Sequence, residues 1–393
     1  MVVSMRCSVC GVTACKKSGR IDKVVMMRTG KRKKQIQAYR CSSGHFFHTA
    51  SSEKSFDDSF IEVVVFIYLQ SLSLNTTVTV VRSIYHVEIL TKQQVLEMIE
   101  IVTDALPTID DIDRLFNPKR SGYLAFDGVW FQYGKEQIVL LVAFDPETFD
   151  IVSARWEEDE TQAGYENLII DATNKIGVTN IRGVYGDGDN GLILAVKTLL
   201  PTVPFQMCVF HKELRMGEVI PVKSVSRSRQ MTPKTKHDIK VFQLLFREVI
   251  YAKNKDKSYE ALERLKKYVG SKIHTQPERF QKAYRSLLHN FKYTLTHFDH
   301  EGMRRDNNLL ECFNGCLKPR LKLMRGFKKK ENLNRYLKLF LLEFRFHALK
   351  ESRFKDRRGK SPLEVAGVFL PKYYNFLEYL RTNLKLSYQP IRT

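Results

Sequence analysis

Long apolar stretches are missing from this 393-residue sequence. The longest apolar run, Ile61 to Ser71, carries Glu62 and Gln70 and falls well short of the ~18 to 20 residues needed to cross a bilayer. The chain opens MVVSMRCSVC, with no basic, apolar and small-residue signal pattern ahead of its first cysteines. A soluble, cytoplasmic protein with no membrane partner is therefore expected. Cysteine is sparse: seven residues exclude a disulfide scaffold, and an odd count suits reduced thiols or metal ligands. No G-x-x-x-x-G-K-[ST] stretch occurs, so no nucleotide cofactor is indicated. Acidic residues are in deficit, 43 against 64 Lys and Arg, for a formal net charge of +21. Such a balance favours a polyanionic partner, because phosphate backbones are bound chiefly through Lys and Arg with release of counterions.

The charge is unevenly spread. Ile101 to Asn190 holds seven basic and seventeen acidic residues, whereas Asn314 to Lys360 holds sixteen basic and four acidic ones. An acidic middle inside a basic protein suits cation binding beside a nucleic-acid track. At 45.8 kDa the length predicts about two to three domains.

In the first fifty residues, Cys7-Ser-Val-Cys10 and Cys41-Ser-Ser-Gly-His45 flank a basic hairpin-like middle containing Lys31-Arg-Lys-Lys34. Two ligands on one turn, a β excursion and two on a second turn is the layout of a zinc ribbon, in which the metal replaces a core too small to form unaided. Cys7, Cys10, Cys41 and His45 are the expected Zn²⁺ ligands, with His48 and Cys15 in reserve. Residues 1–50 are thus read as a zinc-ribbon-like DNA-binding domain. Residues 51–118 are read as helical, starting at Asp57 or Asp58, then Leu74 to Tyr85, then Lys92 to Leu106 capped by Thr91. This is either a helix-turn-helix or a helical linker.

From Gly122 the texture becomes β. Strands are predicted at Gly122 to Phe131, Gln137 to Phe144, Ile151 to Trp156, Ile181 to Gly186 and Val203 to Met207, with helices at Thr161 to Ile176 and Gly191 to Leu200. This order describes a mixed α/β sheet covered by helices, and it is the order of the ribonuclease-H-like fold. Residues 119–212 and 300–350 are assigned to that domain, 213–299 to an all-helical insertion and 351–393 to a helical tail. Pro221 to Lys236 reads as a loop.

Three acidic sites stand out. Asp127 interrupts the apolar run GYLAFDGVWFQY, where an unpaired carboxylate would cost several kcal/mol. Asp187 ends a strand in Tyr185-Gly-Asp-Gly-Asp-Asn-Gly-Leu192, with Asp189 as its competitor. Glu311 lies on a polar helical stripe with Asn307 or Asn308, Asn314 and Lys318, while Leu310, Phe313 and Leu317 line another face. Cys208-Val-Phe-His211 follows the last strand, and with Cys312 and Cys316 it offers a second, less favoured zinc set. Trp130 and Trp156 are read as core in preference to base-stacking platforms.

In order and spacing, Asp127-Gly-Val-Trp130, Asp187 to Leu192, Cys208-x-x-His211, Asn308-x-x-Glu311-x-x-Asn314 and Arg325-Gly-Phe327 resemble the DDE transposases of insertion sequences, in particular the Mutator-like group. The resemblance covers roughly Ser121 to Leu349 apart from the helical insertion. It implies catalytic Asp127, Asp187 and Glu311 holding two Mg²⁺ or Mn²⁺ ions, and favours Asp187 over Asp189. It also implies support from Cys208, His211, Asn308 and Asn314, DNA as element ends and target, and a homo-oligomer in the synaptic complex. Arg320, Lys322, Arg325, Lys328, Lys329 and Lys330, in a tract interleaved with Phe327, Tyr336, Phe344 and Phe346, are the candidate DNA contacts. A nucleoid-associated location would follow in a prokaryote. The alternatives are a metal-dependent nuclease of the same fold without strand transfer, and a catalytically inactive zinc-ribbon DNA-binding protein.

Overall fold

Side-chain caps start several of the helices that the periodicity predicts. Asp57 accepts from the Phe60 N–H at 2.9 Å. Thr91 and Gln94 form a reciprocal capping box, and Thr161 accepts from the Gly164 N–H at 3.1 Å. Each cap satisfies amide donors that the first helical turn leaves without intrahelical partners. The computed structural model describes residues 2–4, 6–7, 9–48, 56–87, 90–220, 231–272, 277–323, 327, 329–373 and 375–388.

The chain runs through β1 (Val2–Ser4), β2 (Ala14–Met27), β3 (Gly30–Cys41), β4 (Phe46–His48), α1 (Asp58–Leu69), α2 (Leu74–Tyr85), α3 (Lys92–Ala105) and α4 (Ile109–Phe116). Next come β5 (Tyr123–Tyr133), β6 (Glu136–Asp145), β7 (Asp150–Glu157), α5 (Gln162–Ile176), β8 (Gly183–Gly186), α6 (Asn190–Leu199) and β9 (Phe205–Met207). Helices complete it: α7 (Val209–Val219), α8 (Pro233–Ile250), α9 (Lys255–Ser271), α10 (Pro277–Leu288), α11 (Asn308–Leu323), α12 (Lys330–Phe346), α13 (Pro362–Val365) and α14 (Phe376–Leu384). No helix among the described residues is long and apolar enough to cross a membrane. The chain divides into two compact units, Met1–Asp111 with Leu323–Glu343 and Pro371–Thr393, and Ile112–Lys322 with Phe344–Leu370.

In the first unit β1 to β4 form an antiparallel sheet in sequence order. The β2–β3 register sets Cys15 opposite Cys41, and the small buried cluster there consists of Cys7, Cys15, Tyr39, Cys41 and Phe47. Val95, Ile99, Val102 and Leu106 are buried, as their spacing predicts. The Lys338 ammonium donates to the Thr103 and Leu106 carbonyls at 2.7 and 2.6 Å, satisfying the open end of α3. Glu97 and Asp104 lie exposed on α3 and Glu100 pairs with Arg335 at 2.7 Å.

In the second unit the sheet order is β7-β6-β5-β8-β9, with β6 antiparallel to both neighbours and β5, β8 and β9 parallel. Alternation along β5 sends Leu124 and Phe126 into the main core with Leu141, Tyr165, Leu168, Val184 and Leu192. Asp127 falls on the opposite face. A second core joins α7, α8, α9 and α10.

Several expected details differ. Strand β8 begins at Gly183, because a 3-10 turn at Val178–Asn180 occupies the approach. The buried stripe of α8 is Ile239, Phe242, Phe246, Val249 and Ile250, leaving Leu244 at 60% exposure; the stripe carrying two Phe rings buries more area than the one through Leu244. The helical tail expected at 351–393 holds two separate helices, α13 and α14, divided where Gly367 takes φ +83° and Pro371 removes an amide donor. Of the loop expected at 221–236, residues 221–230 lie outside the described set, and α8 already begins at Pro233.

Candidate active site

The carboxyl ends of β8 and β9 lie side by side, since Gly186 pairs with Met207 and the Cys208 N–H donates to the Gly186 carbonyl at 2.8 Å. Asp187 therefore emerges next to the start of α7. The turn that follows needs glycine: Gly188 sits at φ +91°, and a Cβ there would lie 2.0 Å from the Met207 methyl. Asp187 accepts from the Asp189 N–H at 2.8 Å and from the Arg215 guanidinium at 3.2 Å. Asp189 is engaged as the cap of α6, accepting from the Leu192 N–H at 3.1 Å.

The segment leading into α11 is tied to the same strand ends. The Asn307 N–H donates to the Cys208 sulfur at 3.2 Å, its side-chain amide donates to the Phe126 carbonyl at 3.4 Å, and the Val209 N–H donates to the Arg305 carbonyl at 3.2 Å. These anchors bring the first turns of α11 over β5. Asn314 donates to Asp127 Oδ2 at 2.6 Å, while Asp127 Oδ1 accepts from the Gly128 N–H at 2.9 Å. On the next side of the cluster His211 Nε2 meets Glu311 Oε1 at 3.0 Å. Ligand atoms of Asp127, His211 and Glu311 all lie within 4.8 Å of one another.

The electrostatics are unbalanced. Burial, then the Glu311 charge and also that of Asp187, push the Asp127 carboxyl well above the usual carboxylate range. Glu311 is held below it, first by its hydrogen bond to His211. Burial alone would lower His211, but the nearby Cys208 sulfur and the Glu311 carboxylate carry it up to about 11. Among the described residues, His211 Nδ1, Asn307 Oδ1 and Asn314 Oδ1 are buried without a hydrogen-bond partner. Oxygen donors that repel one another, with orphaned polar atoms around them, fit a hard divalent cation.

Two residues that sequence reasoning passed over, Arg215 and Glu160, belong to this region, as does Asn307, which the helical spacing offered as the alternative to Asn308. Arg215 is one helical turn beyond His211, a spacing that could have drawn notice. Asn307 supplies the side-chain contact expected of Asn308, whose backbone N–H instead meets Asp306 at 3.2 Å. Glu160, the last of the run Glu157-Glu-Asp-Glu160, accepts from the Trp130 indole at 2.5 Å and from the Tyr165 hydroxyl at 2.9 Å. Burial, reinforced by the charges of Asp187 and Asp189, raises its carboxyl. A Cβ on Gly128 would meet that carboxylate at 2.2 Å, so glycine is required beside Asp127. Trp130, expected in the core, is 40% exposed.

The candidate DNA contacts divide. Lys322, Lys329 and Lys330 are exposed and Arg320 is half-buried, with Arg320 and Lys322 in the second unit and Lys329 and Lys330 in the first. Arg325 and Lys328 lie outside the described residues. The aromatics Tyr336, Phe344 and Phe346 are buried packing residues, so they offer no stacking surface. Cys208 is buried and Cys312 and Cys316 are exposed; among the described residues they join no metal-competent group.

The ribbon cysteines do converge. Cys10 and Cys41 sulfurs are 3.7 Å apart, Cys41 Sγ is 3.5 Å from His45 Nδ1, and all four ligand atoms of Cys7, Cys10, Cys41 and His45 lie within 4.8 Å of one another. Tetrahedral zinc with sulfurs at about 2.3 Å needs S···S near ~3.8 Å, so this cluster could bind zinc. Cys15 and His48 stay outside it.

Together these features define a mixed α/β protein with a cation-suited acidic centre at the ends of its parallel strands and a cysteine–histidine cluster near its start. The family model for "Transposase, Mutator family" matches residues 9–348, and the chain belongs to that family. Membership implies a nucleic-acid-processing enzyme that binds DNA. No curated protein matches the sequence. Among solved structures the chain is similar to one in "CryoEM structure of simian T-cell lymphotropic virus intasome in complex with PP2A regulatory subunit B56 gamma", with 8% identity and a TM-score of 0.19 over 49% of this chain and 69% of that one. A likeness that loose carries no argument about the fold.

Proposed function

We propose that the protein is a metal-dependent DDE transposase that cleaves the ends of its mobile element and joins them to target DNA. The carrying observation is Asp127, a buried mid-strand carboxylate whose partners across the site are Glu311 and His211. The sheet order, with β6 antiparallel to the other four strands, supports a ribonuclease-H-like reading of the second unit.

Asp127, Asp187 and Glu311 would hold two Mg²⁺ or Mn²⁺ ions. When bound, such ions supply Lewis acidity to the attacking water or 3′-hydroxyl and to the leaving oxygen of an in-line displacement. Asn314 fixes the Asp127 rotamer through its 2.6 Å bond, leaving lone pairs on both carboxylate oxygens for cations. His211 orients Glu311 and holds a proton at Nε2 toward Oε1. Burial around Asp127 excludes bulk water and strengthens each of these interactions. Lys322, Lys329, Lys330 and Arg320 bind DNA phosphates, and the Cys7–Cys10–Cys41–His45 ribbon holds Zn²⁺ and adds a basic hairpin for the same partner. Homo-oligomerisation would pair two element ends.

The test is Asp127→Asn in folded protein with Mg²⁺, assayed for strand cleavage and for joining of pre-cleaved ends. Loss of both by at least about 100-fold is expected, because even outer-shell partners of a metal site cost 10 to 100-fold. Undiminished cleavage and joining would sink the reading. Cleavage without joining in the wild-type protein would instead mark a nuclease.

A further inference from the structure

Helix α7 supplies a cation to each of two acidic residues of the site. His211 and Arg215 are four residues apart and so share a face, and they meet Glu311 at 3.0 Å and Asp187 at 3.2 Å respectively. The two contacts differ in kind. His211 is the more buried partner, its side chain 17% exposed, whereas that of Arg215 is 37% exposed and, among the described residues, makes one hydrogen bond, Nη2 to Asp187 Oδ2. A guanidinium has five N–H donors, so this partly exposed one keeps donors to spare among the described residues. The other oxygen of Asp187 already accepts from the Asp189 N–H. A divalent cation arriving at Asp187 must therefore compete with Arg215. Once displaced, the guanidinium is left beside the place where a DNA phosphate would bridge the site, and it matches phosphate in charge and in bidentate geometry.

We infer that Arg215 is a phosphate-contacting residue: it balances Asp187 in the resting chain and passes to a DNA backbone phosphate when a divalent cation replaces it. This rests on the transposase reading of the same site. It also accounts for the choice of arginine one turn beyond His211, where a neutral residue would leave Asp187 without its ion pair among the described residues.

The experiment compares wild type, Arg215→Gln, Arg215→Lys and Asp187→Asn, each first checked for folding by circular dichroism. Mn²⁺ is titrated into the DNA-free protein and followed by electron paramagnetic resonance. Affinity for a mixed-sequence DNA duplex is then measured against salt concentration with Mn²⁺ present. R215Q should bind Mn²⁺ about two- to fivefold more tightly, the range expected for loss of a partly exposed ion pair. Its slope of log K against log salt should shrink by about 0.9, one phosphate contact, while R215K keeps the wild-type slope. Mn²⁺ affinity that is unchanged or weaker in R215Q, or an unchanged salt slope, would overturn the inference while leaving the catalytic reading intact. If D187N binds Mn²⁺ as well as wild type does, the metal-site reading itself fails and the inference falls with it.

Discussion

The second unit buries two charged clusters, and they are built on opposite logic. Around Asp150 on β7 every lone pair has a donor. Oδ1 accepts from Arg345 Nε and the Ile151 N–H, both at 2.9 Å, and Oδ2 accepts from Arg120 at 2.7 Å and Arg345 Nη2 at 2.9 Å. Arg345 also reaches Asp113 at 2.6 Å. Although burial works against it, the two guanidinium groups hold the Asp150 carboxyl below its ordinary range. Around Asp127 on β5 the donors are one backbone N–H and one neutral amide, the neighbouring charges are mostly of its own sign, and its carboxyl is raised. A closed cluster neutralises itself and stabilises the fold. An open one keeps a charge deficit that an incoming cation can fill.

Breaking each cluster should therefore have opposite consequences. The largest effect is expected where a metal stands in for a core. Removing the zinc proposed for the Cys7–Cys10–Cys41–His45 cluster with a chelator, or substituting Cys10→Ser, should unfold the β2–β3 region, since structural zinc contributes roughly 10 to 16 kcal/mol in zinc-finger peptides. Hydrogen exchange over Ala14 to Cys41 would report it, and protection that survives chelation would show that this sheet needs no metal.

Next in size, Arg345→Met should destabilise the second unit by about 3 kcal/mol, because it strips a buried carboxylate of its main counter-charge. Denaturant unfolding measures this, and a change near zero would mean that Arg120 suffices alone.

The smallest effect has the opposite sign. Asp127 has a folded value above its unfolded one of about 3.9. Its penalty is absent below that pH and grows as pH rises toward the folded value. Asp150, with a depressed folded value, contributes stability above about 3.9 and loses it as pH falls through the folded value. Metal-free Asp127→Asn should thus match wild type near pH 4 and gain about 1 kcal/mol, or 2 to 4 °C in Tm, by pH 7. A lower Tm for D127N at pH 7 would place Asp127 with the closed clusters. Saturating Mg²⁺ should erase the gain, because the cation stabilises the wild-type carboxylate.

Much of this was legible before folding was considered. Capping chemistry at Asp57, Thr91 and Thr161 is local, as is the apolar texture of β5 around one carboxylate, and the structure places those elements within a few residues of expectation. Helix faces were less secure where two apolar stripes compete, as on α8, because periodicity alone does not say which stripe meets a partner. The basic tract read as one track from Lys318 onward, yet its aromatics are core and its cations fall in both units.

The sequence alone determined an acidic middle within a basic chain, a C-x-x-C beginning, and three carboxylates, one inside an apolar strand, one at a strand end and one on a polar helical stripe. Burial, alternation and turn chemistry are written within a few residues of each site. Only tertiary structure decided which lone pairs are filled. Asp150 and Arg345 are 2.9 Å apart although far separated in sequence, Glu311 finds His211, Asp187 finds Arg215, and Glu160 comes to rest over Gly128. Whether a buried charge is compensated depends on groups within a few ångströms in space, and chain order does not specify those distances.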